Sequence, residues 1–202
     1  KAPQPMEARP FPGTRDIFEV RFHGRGGQGT VVASILLAEA AFREGRGVQA
    51  FPFFGVERRG APVVAHTRIG AHEVRLACEV ATPDAVVVMD PTLVGGLGAR
   101  LLAGLRPGGT LLINACAAPK DVHLPHENIR VTTVDATGIA RRHGLGSNAS
   151  PIVNTAMLGA FVAVSGAVSA KCLEEAIREK VPARVDANVA AALDGAKEAR
   201  TQ

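Results

Sequence analysis

The sequence has 202 residues, 47% hydrophobic and 21% charged, which suits one packed domain and excludes a disordered or collagen-like chain. No apolar run reaches the roughly 18–20 residues of a membrane span, and the first thirty residues lack an export pattern, so the expected setting is cytoplasmic. The net charge of +4 comes from 23 basic residues dispersed among 19 acidic ones, with no Tyr or Trp between them. That pattern speaks against nucleic-acid binding and suits an anionic ligand or an acidic partner surface.

Residues 1–16 hold four prolines and no apolar periodicity, and read as an extended arm; the first residue is Lys, so a processed or trimmed start is expected. Regular patterning begins at Ile17. Residues 17–23 form a β-rich run, a glycine-rich turn follows, and residues 31–44 carry apolar side chains at helical spacing until Gly45 and Gly47 stop the helix. Residues 48–51 and 63–69 predict two further strands, separated by a stretch punctuated with Pro and Gly. The run 85–89 is apolar throughout and predicts a strand buried on both faces of a parallel sheet. A helix over 93–105, strands over 110–114 and 129–134, and three successive helices over 151–164, 169–180 and 184–200 complete the pattern. Strands alternating with helices imply an α/β fold: a mostly parallel sheet with helices on both faces and a C-terminal helical layer, over residues 17–202.

The strongest chemical signal is Gly24-Arg25-Gly26-Gly27-Gln28-Gly29, a G-x-G-x-x-G pattern placed after a strand and at the mouth of a helix. Such glycines allow a tight turn, and the free N–H groups of the helix start can hold a phosphate, as in a Rossmann-like unit. The same pattern also serves as a tight strand-to-helix turn with nothing bound. A nicotinamide site needs an acidic residue about 20 positions further on to grip the ribose. Here that neighbourhood reads Val48-Gln49-Ala50-Phe51, which disfavours a dinucleotide; Arg46 is the nearest cation.

A second signal is the stretch 49–62, in which Phe51, Phe53 and Phe54 precede Arg58 and Arg59. Exposed, these phenylalanines mark a partner surface and the arginines can fork onto phosphate or carboxylate. Packed under the loop, they leave only two solvated cations. Other chemistry is sparse. Cys78, Cys116 and Cys172 are far apart, lie in apolar stretches and read as small buried hydrophobes, with none of the close cysteine spacing that iron–sulfur sites commonly use. His123 and His126 read as a loop rather than a metal pair, and Asp90 and Asp135 end strands as either helix caps or ligand groups. No catalytic residue and no metal ligand is assigned.

Residues 22–29 and 49–63 together resemble the gamma subunit of pyruvate and related 2-oxoacid:ferredoxin oxidoreductases. Residues 83–93 and 107–110, Asn154, residues 157–160 and 188–190 fit the same family, so that the resemblance spans roughly residues 17–195. It implies a complex that oxidatively decarboxylates a 2-oxoacid, such as pyruvate or phenylglyoxylate, and joins the acyl group to coenzyme A. Thiamine diphosphate, Mg and [4Fe–4S] clusters are then expected in alpha, beta and delta-type partner subunits, with ferredoxin or a NAD-reducing subunit taking the electrons. Within this chain the resemblance implies a coenzyme A region formed by Gly24, Arg25, Gly26, Gly27, Gln28, Gly29, Arg58 and Arg59. Two other classes stand beside it, a stand-alone nucleotide-binding oxidoreductase and a structural adaptor without a ligand.

Overall fold

The structure, a computed structural model, describes residues 16–53, 60–76, 78–122 and 128–202. Strand β1 (Ile17–Arg25) leads into helix α1 (Thr30–Arg43), followed by β2 (Gly47–Phe53), β3 (Pro62–Gly70) and β4 (Ala85–Val88). Helix α2 (Thr92–Leu97), β5 (Thr110–Asn114), β6 (Arg130–Val134) and α3 (Ala136–Arg142) come next. The chain closes with α4 (Asn154–Ser165), α5 (Ala170–Lys180), α6 (Val185–Glu198) and β7 (Arg200–Thr201).

These strands form one sheet in the order β2-β3-β1-β4-β5-β6-β7. Its core is parallel, with β1, β4, β5 and β6 running together. The flanks are antiparallel: β2 and β3 form a hairpin that lies beside β1, and β7 returns along β6. The unbroken apolar runs of β4 and β5 are explained by cover on both faces. Ala85, Val87 and Leu112 join the large core under α1, α3, α4, α5 and α6, whereas Val86, Val88, Leu111 and Ile113 meet Leu93, Leu101, Leu102 and Leu105 on the reverse face.

The expected helix over 93–105 is interrupted. It breaks into α2 and a single 3-10 turn at Gly98–Arg100, because Gly95, Gly96 and Gly98 each lower helix propensity by about 1 kcal/mol. Gly98 itself adopts φ +45. Two short elements escape the sequence pattern. Helix α3 is started by Asp135, whose carboxylate accepts from Gly138 N at 2.8 Å, and β7 begins at Arg200, the residue expected to end the last helix.

The C-terminal helices are held by close backbone approach. A β-carbon on Gly159 of α4 would stand 1.8 Å from Ala192 O of α6, and one on Gly195 of α6 would stand 2.0 Å from Ala156 O of α4. No helix among the described residues is long and apolar enough to cross a membrane.

The reverse face of β1 and β3 is polar yet buried. Arg21 donates to His23 Nε2 at 3.0 Å and to the carbonyls of Val80, Leu101 and Ala103. Arg68, 1% exposed, donates to Glu19 Oε1 at 2.8 Å, to Gln49 Oε1 at 3.1 Å and to the carbonyls of Leu76 and Glu79. Both arginines thus fasten connecting segments over the sheet.

Candidate functional site

The site is built where β1 and β4 end. The chain leaves β1 toward the layer of α1 and leaves β4 toward α2 on the reverse face, so a crevice opens between their carboxyl ends. The glycine loop lies there. Gly29 is the N-cap of α1 in the left-handed region, φ +81, and Gly27 has φ +100. Gly24 is dictated by space: a β-carbon there would stand 2.1 Å from Thr30 Oγ1.

Gln28 ties the loop together, its Oε1 accepting from Arg25 N at 2.8 Å and its Nε2 donating to Asp90 Oδ2 at 2.7 Å. Asp90 also accepts from Thr92 N at 2.9 Å and lies 3.4 Å from Arg25 Nε. Burial alone would raise the Asp90 carboxyl, but the bonds from the Thr92 hydroxyl and amide and from Gln28, with Arg25 nearby, hold it below the usual carboxylate range. Arg25 is correspondingly committed: its guanidinium donates to Thr92 Oγ1 at 3.0 Å and to Gly60 O at 3.0 Å.

The two sequence signals meet at this point. Gly26 N donates to Ala61 O at 3.0 Å and Gly60 N donates to Gly26 O at 3.3 Å, so the returning arm of the β2–β3 hairpin rests on the glycine loop. Arg58, Arg59 and Phe54 lie outside the described residues. Phe51 is half-buried, its ring stacked on His66 at 5.0 Å with Arg68 5.5 Å above it.

The topology bears on the dinucleotide question. In a nicotinamide-binding unit the strand after the first helix lies beside β1 and carries the ribose acid at its carboxyl end. Here β3 intervenes between β1 and β2, and β2 ends in Phe51-Pro52-Phe53.

Three groups near the strand ends were given no site role from sequence, although Thr92 and Asn154 lie in stretches that carry the family resemblance, because their proximity exists only in the fold. Asn114 joins β4, β5 and α3 by donating to Met89 O at 2.8 Å and Thr137 Oγ1 at 2.9 Å. Thr92 anchors Arg25, and Asn154 at the start of α4 lies against Gly29. Asp135 serves as a cap. The cysteines correct the expectation of burial: Cys78 and Cys116 are exposed, and only Cys172 is half-buried. They sit in loops or at helix starts, where neighbouring apolar letters do not imply an inward side chain. Desolvation and the adjacent Asp135 push the Cys116 thiol up, away from the reactive thiolate. Among the described residues no three His, Cys, Asp or Glu side chains converge as a metal site; His123 and His126 lie outside those residues.

The family model for pyruvate ferredoxin/flavodoxin oxidoreductase matches residues 19–198. The chain belongs to that family. It is 48% identical over 87% of its length to pyruvate synthase subunit PorC of Methanothermobacter marburgensis, covering 94% of that protein. It is 47% identical over 81% of its length to the pyruvate/ketoisovalerate oxidoreductases common subunit gamma of Thermococcus kodakarensis, covering 86% of it. Among solved structures, the pyruvate oxidoreductase subunit PORC of Thermotoga maritima superposes with a TM-score of 0.78 at 38% identity, over 93% of this chain and 99% of that one. The family accounts for the architecture around the crevice: this is a gamma-type chain, a subunit of a 2-oxoacid oxidoreductase complex.

Proposed function

We propose that this gamma-type chain serves a complex that converts a 2-oxoacid and coenzyme A to acyl-CoA and carbon dioxide, and that its glycine-loop crevice forms part of the coenzyme A region. In that reaction the C1–C2 bond of the oxoacid breaks, the thioester bond forms, and two electrons leave to ferredoxin or NAD. Thiamine diphosphate with Mg and the [4Fe–4S] clusters would supply the acyl carrier and electron path from alpha, beta and delta-type partners. This chain contributes packing and an anion-receptive edge, with residues 17–202 as its domain and residues 1–16 as an arm.

The observation that carries the reading is the junction of the hairpin with the glycine loop through Gly26, Gly60 and Ala61. It brings Gly60 and Ala61, which follow Arg58 and Arg59 in sequence, to an open helix start, where anions are favoured. Exposed ion pairs contribute only about 0–1 kcal/mol to stability, so an arginine pair beside an aromatic segment has more to offer a desolvated contact.

The test uses Gly27→Ala, Arg58→Ala and Arg59→Ala in the assembled complex, with subunit melting, complex formation and the KM for coenzyme A as readouts. Arg59→Ala is expected to weaken assembly or coenzyme A use while the subunit stays folded. Collapse of melting with normal assembly and turnover would show the arginine pair to be structural. A second reading, an adaptor with no ligand, draws support from the internal duties of Gly24 and Arg25. On that reading all three variants alter assembly and none alters the KM for coenzyme A.

A further inference from the structure

One carboxylate fixes the sense of a chain of hydrogen bonds around the crevice. Asp90 follows β4 on the way to α2, Gln28 lies between β1 and α1, and their side chains meet. Asp90 is 8% exposed, and the bonds it receives keep it ionised at neutral pH. An ionised carboxylate can only accept. Gln28 therefore turns its Nε2 to Asp90 Oδ2, 2.7 Å away, which leaves Gln28 Oε1 to accept from Arg25 N at 2.8 Å. Thr92 likewise gives its hydroxyl proton to Asp90 Oδ1, which leaves its lone pairs for Arg25 Nε and Nη2 at 3.3 and 3.0 Å. Arg25 Nη1 then donates to Gly60 O at 3.0 Å.

Two routes thus run from Asp90 to one residue of the glycine loop. The first passes through Gln28 to the Arg25 amide; the second passes through Thr92 to the Arg25 guanidinium and continues to the end of the hairpin. Capping α2 would need only the bond from Thr92 N, yet Oδ2 is turned across the crevice to Gln28. A neutral amide cannot do the same. In Asp90→Asn the new NH2 group opposes either Thr92 N or Gln28 Nε2, all donors, and a Gln28 amide that turns over to relieve the second clash sets its own Nε2 against Arg25 N. Combining Asp90→Asn with Gln28→Glu closes the chain again, because the new carboxylate accepts both from Arg25 N and from the new amide.

We propose that Asp90 and Gln28 are a positioning pair that acts through Arg25 to hold the glycine loop and the hairpin end in the arrangement that receives coenzyme A. The proposal rests on the coenzyme A reading and deepens it: the shape of the binding edge is set by an acid and an amide whose order along the chain can be exchanged.

The experiment uses the assembled complex and measures kcat, the KM for coenzyme A and the KM for the oxoacid. The variants are Asp90→Asn, Gln28→Glu, the two combined, Thr92→Val and, as a reference for the loop, Gly27→Ala. Each single change at Asp90 or Gln28 should raise the KM for coenzyme A by about tenfold, with kcat and the KM for the oxoacid little changed. The combined variant should return to within about threefold of the original value, and Thr92→Val, which opens only the second route, should raise the KM by about threefold. A combined variant whose KM is the product of the two single effects overturns the pair. If Gly27→Ala raises the KM and the changes at Asp90, Gln28 and Thr92 do not, the pair is overturned and the coenzyme A reading stands. If no variant raises it, both fall. Should the single variants fail to fold, the combined variant decides: folding with a near-original KM supports the pair, and loss of folding there too makes Asp90 a structural cap and overturns it.

Discussion

His23 and His66 sit on the buried polar face of β1 and β3, His66 only 2% exposed with neither ring nitrogen hydrogen-bonded. Burial, with Arg21 and His66 close by, pushes His23 down to about 3, and burial, with Arg21 and Arg68, pushes His66 down to about 4. Both rings are therefore neutral in the folded chain at pH 5, where the unfolded chain, titrating near 6.5, binds protons at both. Because the unfolded state binds more protons, stability is fully present above pH 6.5 and declines as pH falls toward 4, by up to about 1.4 kcal/mol per pH unit for each ring. Denaturant midpoints at pH 7 and pH 5 measure this loss. His66→Phe, which can keep an aromatic contact with Phe51, should shrink the difference; an unchanged difference would assign the effect elsewhere. The β-rich run 17–23 was legible as a strand, and Phe18, Val20 and Phe22 form its buried apolar face. What no pattern reveals is that Arg21 and His23, between them, are also covered, since that depends on Val80 and residues 101–103 lying across the sheet.

At the scale of elements, the long helices α1, α4, α5 and α6 and the strands β4 and β5 follow from apolar periodicity and its absence. The shorter ones do not. Helix α3 opens on Ala136-Thr137-Gly138, which has little helix propensity, and depends on the Asp135 cap and the Asn114 bond to Thr137. The contact of α4 with α6 is set by Gly159 and Gly195, each facing a carbonyl of the other helix. On an exposed helix surface Gly→Ala gains about 1 kcal/mol. Here the added carbon meets backbone that cannot swing aside. Gly159→Ala should instead lose about 1–3 kcal/mol, read from the denaturant midpoint, and a more stable variant would show that the helices are free to part.

For the whole molecule, the α/β class and the parallel core were legible, and so was the glycine loop as a strand-to-helix turn. The antiparallel placement of β3 between β1 and β2 was not, because apolar strands carry no mark of their neighbours' direction. That placement joins the glycine loop to the hairpin, a relation invisible along 35 residues of sequence between Arg25 and Gly60. As a subunit, the chain should melt higher in the presence of its partner subunits, by an amount that grows with their concentration. Binding at a hundredfold excess over Kd corresponds to about 2.7 kcal/mol, and a melting temperature indifferent to partner concentration would contradict a folded-state interface. The position of β1 also has a consequence during synthesis. Among the described residues it is the first regular element in the chain, yet Val20 pairs with Thr67 on one side and Ala85 on the other. Until those residues leave the ribosome, Phe18, Val20 and Phe22 stand on an open strand that can recruit other chains. The hairpin, complete at Gly70, is the first structure able to receive that strand. Yield of native chain therefore depends on how promptly translation delivers residues 62–88, a kinetic demand that equilibrium stability does not record.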